Sequence, residues 1–142
     1  MKIGRYRSKP VSISSDAAEE LGLRFEASVY EAALQKTNWG EAVPSQIELL
    51  IRLGDIYSQM GMLREGLEVD LRLVQIRPEE PIFHYNLACS HSRLQEIDPA
   101  FQALERAIQL GYENVEHLRA DSDLDNLKED RRFGEILRIL DA

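Results

Sequence analysis

The sequence predicts an all-α fold of antiparallel helix pairs stacked in a row. Apolar residues recur at three- and four-residue spacings along most of the chain, and no segment alternates with a period of two. Sliding the chain by 34 residues lays 47–80 on 81–114. Leu53 then meets Leu87, Ser58 meets Ser92, Arg72 meets Arg106, Gln75 meets Gln109 and Glu79 meets Glu113. Small residues coincide too, Gly54 with Ala88 and Gly66 with Ala100. Helices cross closely only where side chains are minimal, so these positions are the predicted crossings.

The elements follow in order. Ser15 or Asp16 caps a first helix, with Glu19 and Glu20 near its positive end. Its apolar period runs through Leu21, Phe25, Val29, Ala32 and Ala33 to about Lys36. Thr37-Asn38-Trp39-Gly40 breaks the pattern, and Trp39 is expected to pack over this first cap. Pro44-Ser45 opens a second helix carrying Ile47, Leu50, Ile51, Leu53, Ile56, Tyr57 and Met60, which ends at Gly61. A third spans about Leu63 to Ile76 and stops before Pro78. A fourth starts at Pro81 and reaches about Leu94; a fifth starts at Asp98-Pro99 and is closed by Gly111. Phe133-x2-Ile136-Leu137-x2-Leu140 forms a last amphipathic helix.

Length and charge narrow the function. The 142 residues amount to one domain. Basic residues number 17 against 25 acidic, for a net charge of −8, which disfavours nucleic acid and anionic membranes as partners. The charge is uneven. Lys2, Arg5, Arg7 and Lys9 give residues 1–15 a charge of +4, whereas 16–142 hold 13 basic and 25 acidic groups. The predicted organisation is a flexible basic arm over 1–15 and a helical domain over 16–142, with caps at about 16–37 and 115–142. Apolar Ile3, Tyr6, Val11 and Ile13 interleave the arm's cations, so the arm has the chemistry to contact an acidic face. The one cysteine, Cys89, excludes an intrachain disulfide. No membrane span or signal-peptide core is visible, so the expected address is cytoplasmic.

No catalytic or metal set is visible. His84 and His91 sit seven apart on one predicted helix, about 10 Å along its axis. Cys89 and His91 point apart, and His117 stands alone. Asp121, Asp123 and Asp125 resemble the start of a calcium loop, but Asn126 and Arg132 occupy the places that need Gly and Glu. These aspartates are better placed to cap short helices. No cofactor is implied, and the chain is not expected to be an enzyme.

Leu50-x2-Leu53-Gly54-x2-Tyr57, followed by Gly66 and closed by Pro78, resembles a tetratricopeptide repeat. His84, Leu87, Ala88, His91, Ala100, Leu104 and Ala107 resemble a looser second repeat. Phe25-Glu26-Ala27-x2-Tyr30-Glu31-x-Ala33-Leu34 is similar to the second helix of a preceding half-repeat. Residues 121–133 resemble the closing segment of small bacterial proteins of this family. The resemblance implies a short right-handed solenoid whose concave groove binds a peptide or protein segment. Carried over residue by residue, it places Glu48, Ile51, Arg52, Asp55 and Ser58 of the first repeat in that groove. The second repeat supplies Ile82, Tyr85, Asn86, Cys89 and Ser92, with Arg93 at the edge. Of the family's carboxylate-clamping positions only Asn86 matches. Ile51, Asp55, Glu116 and Ala120 occupy the others, so a carboxylate would meet acids. The expected ligand is a segment with apolar and basic residues, anchored on Ile51, Ile82 and Tyr85. The alternative is a structural homo-oligomer assembled through the solenoid ends, with no separate ligand; a third reading makes Cys89 a catalytic thiol.

Overall fold

The computed structural model describes residues 14–36 and 44–142. The predicted break at Thr37-Asn38-Trp39-Gly40, the packing of Trp39 and nearly all of the basic arm fall outside them. Helix α1 is Ser15–Gln35, α2 Pro44–Gln59, α3 Leu63–Ile76, α4 Pro81–Arg93 and α5 Ile97–Gln109. The C-terminal cap divides into α6 (Val115–Ala120), a 3-10 turn (Ser122–Leu124), α7 (Asp125–Lys128) and α8 (Arg131–Leu140). Among the described residues no strand forms. The fold is a row of stacked helix pairs: α1 packs on α2, α2 on α3, α3 on α4 and α4 on α5.

Local chemistry sets the helix ends. Ser14, one residue before the expected cap, accepts the Ala17 N–H of α1 at 3.2 Å. Three helices close with the same reach-back bond, from Met62 N–H to Tyr57 C=O, Glu96 to His91 and Tyr112 to Ala107, each 2.9 Å. The turn needs a left-handed residue, supplied by Gly61 (φ 68°) and Gly111 (φ 109°). In the second repeat Gln95 takes that place at φ 60°, 34 residues after Gly61. Of the three aspartates expected to cap short helices, Asp121 caps the 3-10 turn by accepting the Asp123 N–H at 3.0 Å. Asp125 instead pairs with Lys128, and Asp123 faces Arg93.

The core lies in two clusters that share Val74. One joins α1, α2 and α3 through Ala27, Leu34, Leu50, Leu53, Ile56 and Leu73. The other joins α4, α5 and the cap through Ala88, Phe101, Leu104, Leu118, Leu124 and Leu127. Of the four predicted crossing residues, Ala88 and Ala100 lie inside the second cluster, while Gly54 and Gly66 border open space beside α4. A Cβ on Gly54 would stand 3.3 Å from Val69 Cγ1, and Ala88 and Ala100 are fully buried. Ala100→Leu is therefore expected to lower stability by about 1–3 kcal/mol through overpacking. An unchanged melting temperature would mean that the helices do not meet there.

Helix α1 departs from the expected pattern. Ala27 and Leu34 are buried, and Leu23 and Tyr30 pack with them on the core. The more conspicuous Leu21, Phe25 and Val29 stripe faces solvent instead. Residues four apart share a face, so α1 carries two apolar faces, of which the other described residues cover one.

Candidate functional site

A cleft of about 370 Å³ opens where α2, α3 and α4 meet the first turn of the cap. Ile51, Asp55 and Ser58 line it from α2, Gly66 and Asp70 from α3, and Tyr85, Asn86, Cys89 and Arg93 from α4. His117, Asp121 and Asp123 complete the wall. Gly66 keeps the α3 side low, so the cleft reaches down to the second helix of the pair.

Asp70 projects from that side. Its carboxylate accepts the Ser90 hydroxyl at 2.5 Å. Burial lifts its pKa to about 6 against the lowering effect of Ser90 and nearby His91, with Asp55 adding to the rise. The far wall is organised around Asp121. Its Oδ2 accepts the Tyr85 hydroxyl at 2.6 Å and lies 3.7 Å from Cys89 Sγ and 3.4 Å from His117 Nε2. Burial pushes Asp121 up, but the bonds from Tyr85 and the Asp123 N–H outweigh it and hold its pKa below the usual carboxylate range. Tyr85 is only 2% exposed, and its ring stacks on Tyr112 with centroids 4.3 Å apart. Arg93 spans the cleft, donating to Ser58 Oγ at 2.9 Å and standing 3.7 Å from Asp123.

The cleft is thus acidic, with Asp55, Asp70, Asp121 and Asp123 set against Arg93 and an apolar shoulder at Ile51. Cys89, Asp121 and Asp123 bring ligand atoms within 4.8 Å of one another. Burial, then the charge of Asp121, pushes the Cys89 thiol pKa far up, which keeps it protonated at neutral pH. A protonated thiol is not a nucleophile, and Asp121 is already engaged by Tyr85 and the Asp123 N–H.

The comparisons with known proteins point to one family. The family model for the tetratricopeptide repeat matches residues 83–110, within the looser second repeat rather than the one with the fuller signature. The crystal structure of MamA superimposes with a TM-score of 0.55 and 19% identity, covering 82% of this chain and 70% of that one. That likeness is one of fold. The chain is a tetratricopeptide-repeat protein. A chloroplastic protein of Arabidopsis thaliana is 32% identical over 100 residues, or 68% of this chain. The chain spans 30% of the length of that relative. No helix among the described residues is long and apolar enough to cross a membrane.

Within the tetratricopeptide-repeat frame the expected groove residues divide. Ile51, Asp55, Tyr85, Asn86, Cys89 and Arg93 converge on the cleft. Glu48 and Arg52 form an i,i+4 pair at 3.9 Å and line a neighbouring hollow with Ile51, Asp55 and Arg77. Ile82 is exposed on α4 and lines neither, and Ser92 is buried. Tyr85 is a correction: its stacked, hydrogen-bonded ring is core, not a free anchor. The third-repeat positions are also corrected. Glu116 and Ala120 are exposed beside the wall, and His117 and Asp121, one residue later, form it. Helix α6 ends at Ala120, so the chain turns there and sends Asp121 inward. His117, read from sequence as standing alone, tilts against Tyr85 with centroids 5.6 Å apart. Asp70 was missed because it belongs to the second helix of its pair; its place where the family usually has an aromatic was the available signal.

Proposed function

We propose that this chain is a non-enzymatic protein–protein interaction module whose acidic cleft receives a basic side chain from a partner segment. The tetratricopeptide repeats and the fold support the general role. The carrying observation is the convergence of Asp55, Asp70 and Asp121 on one cleft beside exposed Ile51. The volume sits at the small end of ligand pockets, which suits one or two inserted side chains rather than a buried strand. A Lys or Arg meets the carboxylates while its stem, or an adjacent Leu, covers Ile51. Micromolar affinity, about −8 kcal/mol, is the expected scale.

The test is titration with a short labelled peptide alternating Lys and Leu, beside a counterpart with Glu for Lys. The basic peptide should bind and the acidic one should not. Ile51→Asp and Asp55→Lys should each weaken binding about tenfold or more, or roughly 1.4 kcal/mol, with helicity unchanged. Binding insensitive to both would place recognition elsewhere. Tyr85 is unsuitable for this purpose, because its loss would loosen the core.

A further inference from the structure

Among the described residues, both ends of the solenoid carry apolar surface without a partner. At the N-terminal end Leu21, Phe25 and Val29 form one stripe of α1, and Phe25 is 72% exposed. At the other end a groove of about 290 Å³ runs between α5 and α8. Ile108, Ile136 and Ile139 line it, bordered by Glu105, Arg132 and Glu135. Ile139 is 68% exposed. Charge distinguishes the two ends. Helix α1 sets Asp16, Glu19, Glu20, Glu26 and Glu31 against Arg24, a net −4. The two helices of the groove, α5 and α8, together set Arg106, Arg131, Arg132 and Arg138 against Asp98, Glu105 and Glu135, a net +1.

We infer that the α1 stripe of one copy docks on the α5–α8 groove of the next, with Phe25 seated against Ile108, Ile136 and Ile139. Opposite net charge favours unlike ends and opposes α1 meeting α1. The acidic fringe of α1 equally opposes an anionic membrane as the cover. Helical repeats bury their faces by stacking, and this contact continues the stack from one molecule to the next. It is heterologous, so it repeats rather than closing at two. A 21-residue helix is about 31 Å long and 10–12 Å across, so one face offers roughly 300–400 Å² per partner. Stable interfaces use about 800 Å² per partner, which places this assembly in the weak, concentration-dependent class.

Sedimentation velocity on the full chain up to hundreds of micromolar tests the pairing. Wild type should show a weight-average mass that climbs past the dimer as concentration rises. Phe25→Asp and Ile139→Asp alter exposed side chains and should leave the helical signal unchanged. Each alone should remain a monomer, because each lacks one of the two complementary ends. Mixed together they should form a dimer and nothing larger, since each retains the end the other lacks. Arg138→Glu should weaken wild-type assembly, as should added salt. A wild-type monomer throughout the range overturns the inference. So does an Ile139→Asp variant that assembles like wild type, which would mean α1 pairing with α1. None of these substitutions touches the acidic cleft, so peptide binding there stands or falls independently.

Discussion

Tyr85→Ala is expected to lower unfolding free energy by about 3–5 kcal/mol, the range for removing a large buried aromatic. Tyr85 is almost wholly buried, stacked within 12° of parallel on Tyr112, and its hydroxyl holds Asp121 at 2.6 Å. The substitution opens a cavity at the junction of α4 with the cap. It also removes a hydrogen bond to a charged acceptor, a class that contributes about 1.5–3 kcal/mol. Tyr85→Phe separates the two effects. The ring and its stacking remain, so only the hydroxyl's share is lost. Asp121, relieved of its strongest donor, should then titrate closer to the ordinary carboxylate range. Urea unfolding of both variants, with NMR titration of Asp121 in Tyr85→Phe, measures each part. A Tyr85→Ala loss below about 1 kcal/mol, the scale of an ordinary substitution, would mean that the cap is not held through this residue.

The same residue shows where sequence reading ends. Helix boundaries in α2 to α5 were legible because Pro44, Gly61, Pro81 and Gly111 punctuate a strong apolar period. The crossings at Gly54, Ala88 and Ala100 were legible because close approach demands small side chains. Which apolar face turns inward was not. In α1 the larger Leu21, Phe25 and Val29 form the more conspicuous stripe, yet the face with small Ala27 and flanking Leu23, Tyr30 and Leu34 packs on α2. Periodicity identifies a face but does not say what lies opposite. The cleft was half legible. Its α2 and α4 walls follow from the repeat register, and seven of the eleven residues named for the groove line it. The third wall depends on α6 stopping after six residues, and sequence periodicity carries little information on so short a helix. His117 and Asp121 are local i,i+4 neighbours, but Asp70 joins them in the cleft only through tertiary contact.

Asp70→Asn is expected to stabilise the protein at neutral pH and to lose that advantage in acid. Burial raises the Asp70 pKa to about 6, whereas an unfolded chain holds it near 3.9. Between those values the native state binds the extra proton, so stability falls as pH rises through the window. Above pH 6 the ionised carboxylate opposes folding in full; below about pH 4 the opposition vanishes. Two pKa units correspond to at most about 3 kcal/mol, and partial solvent contact brings the expected gain to about 1–3 kcal/mol. Asn retains an acceptor for Ser90 and removes the charge facing Asp55 on α2. The two proteins differ at this one side chain, so the difference between them isolates Asp70. Urea unfolding at pH 7.5 and pH 4.5 should show a gain at the first and little at the second; an equal gain at both would remove the electrostatic account. The stability change links directly to the cleft. A carboxylate held ionised against burial is one that a bound Lys or Arg would relieve, so a basic peptide should bind wild type more weakly at pH 5 than at pH 7.5. Asp70→Asn should bind less tightly at pH 7.5 and change less between the two. Side chains that lower stability where nothing is bound are concentrated where proteins bind. Asp70 would then contribute to recognition in proportion to what it withholds from the fold.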